Sequence, residues 1–192
     1  ISAAAHVRAM RACKPGMFEY QPEAELLHEF LDHGARAPAY SSIVGGGANG
    51  CIMHYVENGA ALRAGDLVLI DAGCEYEHYA ADVTRTFPVK GRFSAPQRAL
   101  YEHWNHPHDV TVRVITEGLR DLGLLDGEPN ELIELAAYRT FYMHRAGHWL
   151  GLDVHDVGDY KIGGEWRVLE PGMVLTVEPG IYIAPDNRDV AK

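Results

Sequence analysis

The stretch DLVLIDAGCEYEHYAADVTRTFPV, residues 66–89, decides how this chain is read. Leu67-Val68-Leu69-Ile70 is an unbroken apolar run, so Asp66–Gly73 predicts a buried strand. Tyr79–Val89 is rich in β-branched and aromatic residues and ends near Pro88 and Gly91, which predicts a second strand. Two acids, Asp71 and Asp82, interrupt these apolar runs. A hairpin that sets Asp71 opposite Asp82 turns between Tyr76 and Glu77 and is closed by Glu75 and His78, a two-residue loop of common type. Opposed residues share a face, with Cβ atoms about 4.5–5.5 Å apart. Two carboxylates so placed repel strongly unless they share a proton or hold a cation between them. The alternative is that one Asp caps a turn.

Working outward, a third acid, Glu178, ends the apolar run Met173–Val177 just before Pro179-Gly180. Burying it alone is costly unless it is paired or coordinated, although at a strand end it can also lean to solvent. Residues 143–158 carry His144, His148 and His155 among apolar neighbours. On a helix His144 and His148 would share a face, but Gly147 and Gly151 favour a loop. A single His of this kind is more often a satisfied core residue. Three together, with acids elsewhere, point to a site.

Elsewhere the pattern predicts helices over Ala3–Ala12, Pro22–His33, Pro96–Trp104, Val110–Leu122 and Asn130–Tyr138. It predicts short strands at Tyr40–Val44, Cys51–Val56 and Met173–Glu178. The connection Gly45–Gly50 is glycine-rich, but it lacks the Gly-Lys-Ser/Thr continuation and the helix start of a phosphate loop and is read as plain loop. Strands and helices come in blocks with hairpins, so the class is α+β: an antiparallel sheet core covered by helices. With 192 residues, 47 % of them apolar, the chain buries roughly 70 % of its unfolded surface, enough for one core. No internal repeat or linker divides it.

The formal net charge of −10 and the lack of a basic run exclude nucleic acid as a partner, and no apolar stretch is long enough for a spanning helix, so no membrane is expected. Cys13, Cys51 and Cys74, odd in number and without CxxC spacing, argue for a reducing cytoplasm. Eleven His and an excess of carboxylates suit cations. Two Asp, one Glu and at least one His favour Mn, Co or Fe over the thiolate sites of structural zinc. Carboxylates that bridge two ions acidify a bridging water, which is the chemistry of amide or phosphate-ester hydrolysis.

Four ordered motifs carry a family resemblance: Leu69–Gly73, Ala81–Pro88, His148–Gly158 and Glu170–Tyr182. Together they closely resemble aminopeptidase P, the Xaa-Pro aminopeptidase branch of the pita-bread metallopeptidases. The resemblance covers nearly the whole chain and implies a pita-bread fold. It implies that Asp71 binds one metal through both oxygens, that Asp82 bridges two, and that His148 and Glu178 serve the other. Two divalent ions, Mn foremost, and a bridging hydroxide that attacks the carbonyl before proline come with it. His54 matches a substrate-side His, and His155 one that hydrogen-bonds the scissile carbonyl or transfers protons. His144 matches a third active-site His, and Tyr182 an aromatic at the substrate pocket.

The expected activity is hydrolysis of the N-terminal Xaa-Pro bond of peptides with proline at the second position, by an enzyme that is a homo-oligomer at full length. The alternatives are a prolidase acting on Xaa-Pro dipeptides and a non-catalytic pita-bread binding module; methionine aminopeptidase fits less well around residues 152–158. Residues 1–192 are expected to be one catalytic domain, truncated at both ends. On this resemblance the family's N-terminal domain is expected to lie outside these residues, which start at Ile1, and a fifth ligand, a second bridging Glu, is expected past Lys192. Tyr101-Glu102-His103-Trp104 reads as a junction where the family has a longer helical stretch, which weakens the helix predicted over Pro96–Trp104.

Overall fold

In the computed structural model of the protein, which describes residues 1–102, 108–185 and 187, the chain begins with two packed helices, α1 (Ser2–Ala12) and α2 (Tyr20–Asp32). Ala5 and Ala9 on α1 are fully buried, and their small side chains let α2 approach with Leu26 and Phe30. Burying each of those two large side chains contributes about 1.5–3 kcal/mol. Gly34, at φ 84°, closes α2 in the left-handed conformation that glycine takes without strain.

The helices cover one face of a three-stranded antiparallel sheet ordered β2 (Ile43–Gly46), β3 (Leu67–Asp71), β6 (Thr84–Pro88). Along β3, Val68 and Ile70 are buried and join the helices' core, whereas Leu67, Leu69 and Asp71 are only half-buried and alternate to the other face. That alternation presents Asp71 away from the helices. A second sheet orders β1 (Ala37–Pro38), β4 (Cys74–Tyr76) and β5 (Tyr79–Ala80). The buried imidazole of His6 on α1 hydrogen-bonds the Ala72 carbonyl at 3.0 Å, where β3 gives way to β4, and burial lowers its pKa.

The 66–89 stretch does form a hairpin, but it turns one residue later than predicted. Tyr76 pairs with Tyr79, and Glu77 and His78 make the turn with φ of 50° and 69°, the pair of positive values a type I′ turn requires. Asp71 therefore faces Thr84 rather than Asp82. The same register sets Asp82 across from Gly73, where any Cβ would lie 1.6 Å from the Ala81 carbonyl oxygen. Glycine is required there, and the predicted long strands break at this point into β3 with β4, and β5 with β6.

Further on come α3 (Ala95–Glu102), α4 (His108–Asp121) and α5 (Pro129–Glu134), then the small hairpin of β7 (Lys161–Ile162) and β8 (Glu165–Trp166). Val112, Ile115 and Leu119 of α4 pack on Phe141 and Tyr142 in a second core cluster. Trp104 and the 102/103 junction lie at or outside the described residues. The strand predicted over Cys51–Val56 does not form; Gly47–Cys51 is a single 3₁₀ turn and irregular chain follows. The run Met173–Glu178 is extended along Ala146–Leu150: Leu150 N–H donates to Val174, Thr176 N–H to His148 and Glu178 N–H to Ala146. Among the described residues no helix is long and apolar enough to cross a membrane.

Candidate metal centre

Asp82, His148 and Glu178 converge from the two antiparallel pairings. His148 Nε2 lies 3.2 Å from Asp82 Oδ2 and 2.9 Å from Glu178 Oε1. One ligand atom from each of the three falls within 4.8 Å of the others. Thr176 sits across from His148 and arranges the pair: its hydroxyl accepts from the His148 amide at 2.9 Å and donates to Glu178 Oε1 at 2.7 Å.

Asp71 joins the cluster through Tyr40. The Tyr40 hydroxyl is 2.5 Å from Asp71 Oδ1 and 3.0 Å from Asp82 Oδ1, so one proton is shared between the two carboxylates, weighted to Asp71. Burial, and then the two carboxylate charges, push the Tyr40 pKa far above its ordinary value, which holds the hydroxyl as a donor. Burial raises Asp71 above the usual carboxylate range; the Asp82 charge adds to this, and hydrogen bonds from Tyr40 and Thr84 oppose it. Asp82 is raised by burial and next by the Glu178 charge, against the Tyr40 hydrogen bond and the neighbouring His148 imidazole. Sequence reasoning missed Tyr40, which was read only as a strand residue. Its signal was its place three residues before Ile43, the residue paired with Asp71.

The donor set fits a cation. His148 Nδ1 is 2.8 Å from the Trp149 carbonyl, an acceptor, so the ring proton belongs on Nδ1 and the lone pair on Nε2. Nε2 then meets two carboxylate oxygens, and three acceptors point at one place. A divalent ion satisfies all three, and the Nδ1–H···O=C bond orients the ring as metal-bound histidines require.

The remaining sequence-predicted residues are distributed around this cluster. The His155 ring lies edge-on to His148 at 4.3 Å, and a cavity of about 320 Å³ opens beside it. His144 Nδ1 bonds the Arg145 carbonyl, while its Nε2 accepts from the Tyr182 hydroxyl at 2.9 Å. Burial, then the charges of Asp71 and Glu178, push the Tyr182 pKa up to about 12, so that hydroxyl also remains a donor. His54 is not brought into the cluster: it is exposed, in a left-handed turn at φ 54°.

The sequence matches metallopeptidase family M24 over residues 1–191. It is 56 % identical to an Xaa-Pro aminopeptidase of Escherichia coli strain K12, over 97 % of this chain and 46 % of that protein. It is 37 % identical to the human Xaa-Pro dipeptidase, over 100 % of this chain and 46 % of that protein. Among solved structures, Pseudomonas aeruginosa aminopeptidase PepP is similar at 62 % identity with a TM-score of 0.96, covering 100 % of this chain and 47 % of that one. A zinc-substituted Escherichia coli aminopeptidase P in complex with product is 55 % identical with a TM-score of 0.91, covering 97 % and 46 %. The chain spans about half the length of the curated relatives it matches. With its acid-rich cluster built on two antiparallel pairings and its match running nearly end to end, the chain belongs to metallopeptidase family M24.

Proposed function

We propose that this chain is the metal-binding catalytic region of an aminopeptidase that releases the N-terminal residue from peptides with proline at the second position. The observation that carries the reading is the meeting of His148 Nε2 with Asp82 and Glu178, tied to Asp71 through Tyr40. Asp71, Asp82, His148 and Glu178 are the proposed ligands of two divalent ions, with Mn favoured by the carboxylate-rich donor set. When bound, such ions supply Lewis acidity and acidify water toward neutrality.

The chain's own residues then bind and orient. Thr176 and the Trp149 carbonyl fix Glu178 and the His148 ring, and Tyr40 holds the two Asp carboxylates together. His155, exposed beside His148, is proposed to hydrogen-bond the scissile carbonyl or to move a proton; its ring contact with His148 supports this. The Tyr182–His144 pair lines the substrate side, and His54 approaches the substrate from the 52–60 loop. A cytoplasmic homo-oligomer belongs to the same proposal. The greater identity to the aminopeptidase than to the dipeptidase, 56 % against 37 %, favours peptides over dipeptides.

The test is cleavage of Xaa-Pro tripeptides and Xaa-Pro dipeptides by the purified protein, with Mn and after chelation. The expected result is metal-dependent cleavage of the tripeptide, lowered by roughly 10³-fold in Asp82→Asn, as several kcal/mol of Lewis-acid stabilisation is lost. Full activity after chelation contradicts the mechanism, and preference for the dipeptide contradicts the substrate class.

A further inference from the structure

The side chain of Glu19, at the start of α2, is fully buried and lies outside the metal cluster. All its partners are donors. Oε1 accepts from the Gly46 amide at 2.8 Å and from Asn49 Nδ2 at 3.0 Å. Oε2 accepts from the Tyr55 hydroxyl at 2.8 Å and from the Ala60 amide at 2.7 Å. A buried carboxylate with this many donors is satisfied, and removing it strands several polar groups at once.

The four donors bracket one segment. Gly46 and Asn49 enter it, Tyr55 and Ala60 leave it, and His54 stands between them beside Tyr55. Asn58 pins the same segment from the other side, accepting from the Val44 amide and donating to the Ser42 carbonyl, both at 2.9 Å. The glycine-rich run therefore does hold an anionic group, the protein's own carboxylate. A Cβ at Gly46 would lie 2.5 Å from Leu62 Cδ2 and 3.4 Å from Glu19 Oε1, so any side chain there would force Leu62 to shift. The non-glycine left-handed turn at His54 is uncommon, and such a conformation persists where its surroundings over-determine it.

We infer that Glu19 is a positioning residue for His54, the buried anchor that holds the 46–60 loop at the substrate side of the metal centre. This rests on the proposed role of His54 as a substrate-side residue. The clamp's hydrogen bonds reach β2 and the loop and none of Asp71, Asp82, His148 or Glu178, so its effect on His54 is separable by experiment from metal binding.

A double-mutant cycle on the purified, Mn-loaded protein tests it. Glu19→Gln keeps the shape but turns an amide group toward donors. It is expected to lower kcat/KM for an Xaa-Pro tripeptide about tenfold in the wild-type background and less than about twofold in His54→Ala, with Mn affinity unchanged. Hydrogen exchange should speed up at amides 46–60 and stay constant along β3. Equal losses in both backgrounds, or unchanged exchange at 46–60, overturn the inference. Should Glu19→Gln not fold, Tyr55→Phe removes one of the four donors and is read by the same cycle, with a smaller loss in the same direction. A wild-type protein without Xaa-Pro cleavage defeats the functional reading instead; exchange then decides the clamp alone, and retained protection in Glu19→Gln overturns it.

Discussion

Asp71 faces Thr84 across β3 and β6, two residues beyond Asp82. The arrangement recurs where His148 faces Thr176, two residues before Glu178. In each case the residue opposite a proposed ligand is a threonine, whose hydroxyl bonds a carboxylate, and the second ligand stands one pleat away on the same face. The offset keeps carboxylates from being set directly opposite one another and opens a space between the two pairings in which a cation can be held.

The Tyr40 hydroxyl reaches both Asp71 and Asp82. Tyr40→Phe keeps the ring and removes the shared donor. Supporting hydrogen bonds of this kind are worth about 10- to 100-fold in metal affinity. Calorimetric titration of Tyr40→Phe with Mn should show a loss in that range with the fold retained; unchanged affinity would remove Tyr40 from the site.

The metal-free protein should be strained by its own ligands. Asp71 titrates above its unfolded value, so its contribution to stability is full below the unfolded pKa and is lost as pH rises through the raised folded one. At neutral pH, without metal, Asp71→Asn is expected to resist denaturant better than wild type by about 1–3 kcal/mol. The difference should shrink as pH falls toward the ordinary carboxylate range, and the variant should no longer stabilise on adding Mn. A less stable metal-free Asp71→Asn at neutral pH would refute this.

Much of the site was legible because acids and histidines interrupting apolar runs are conspicuous. The apolar run 67–70 and the turn after it placed Asp71 and Asp82 on one hairpin without a template. The register was missed by one residue of turn because Tyr76-Glu77 and Glu77-His78 both lack the Asn-Gly or Asp-Gly signal, and either can close a two-residue loop. The error left the carboxylates on one face because the pairing moved by two residues, the pleat's own period. Residues 51–56 were misread as a strand because Ile52, Tyr55 and Val56 carry strand propensity, whereas the local structure is set by bonds to residues distant in sequence: Tyr55 to Glu19, and Asn58, just beyond, to Ser42 and Val44. Tyr40 escaped notice for the same reason: its role depends on tertiary placement and leaves no periodicity.

The most direct test of the account is a crystal of the protein grown with Mn and measured for anomalous scattering. The account predicts two peaks, one within about 2.0–2.3 Å of His148 Nε2 and of oxygens of Asp82 and Glu178, and a second at the same distance from oxygens of Asp71 and Asp82. A Mn peak elsewhere, with His148 Nε2 still facing only the two carboxylates, would contradict it.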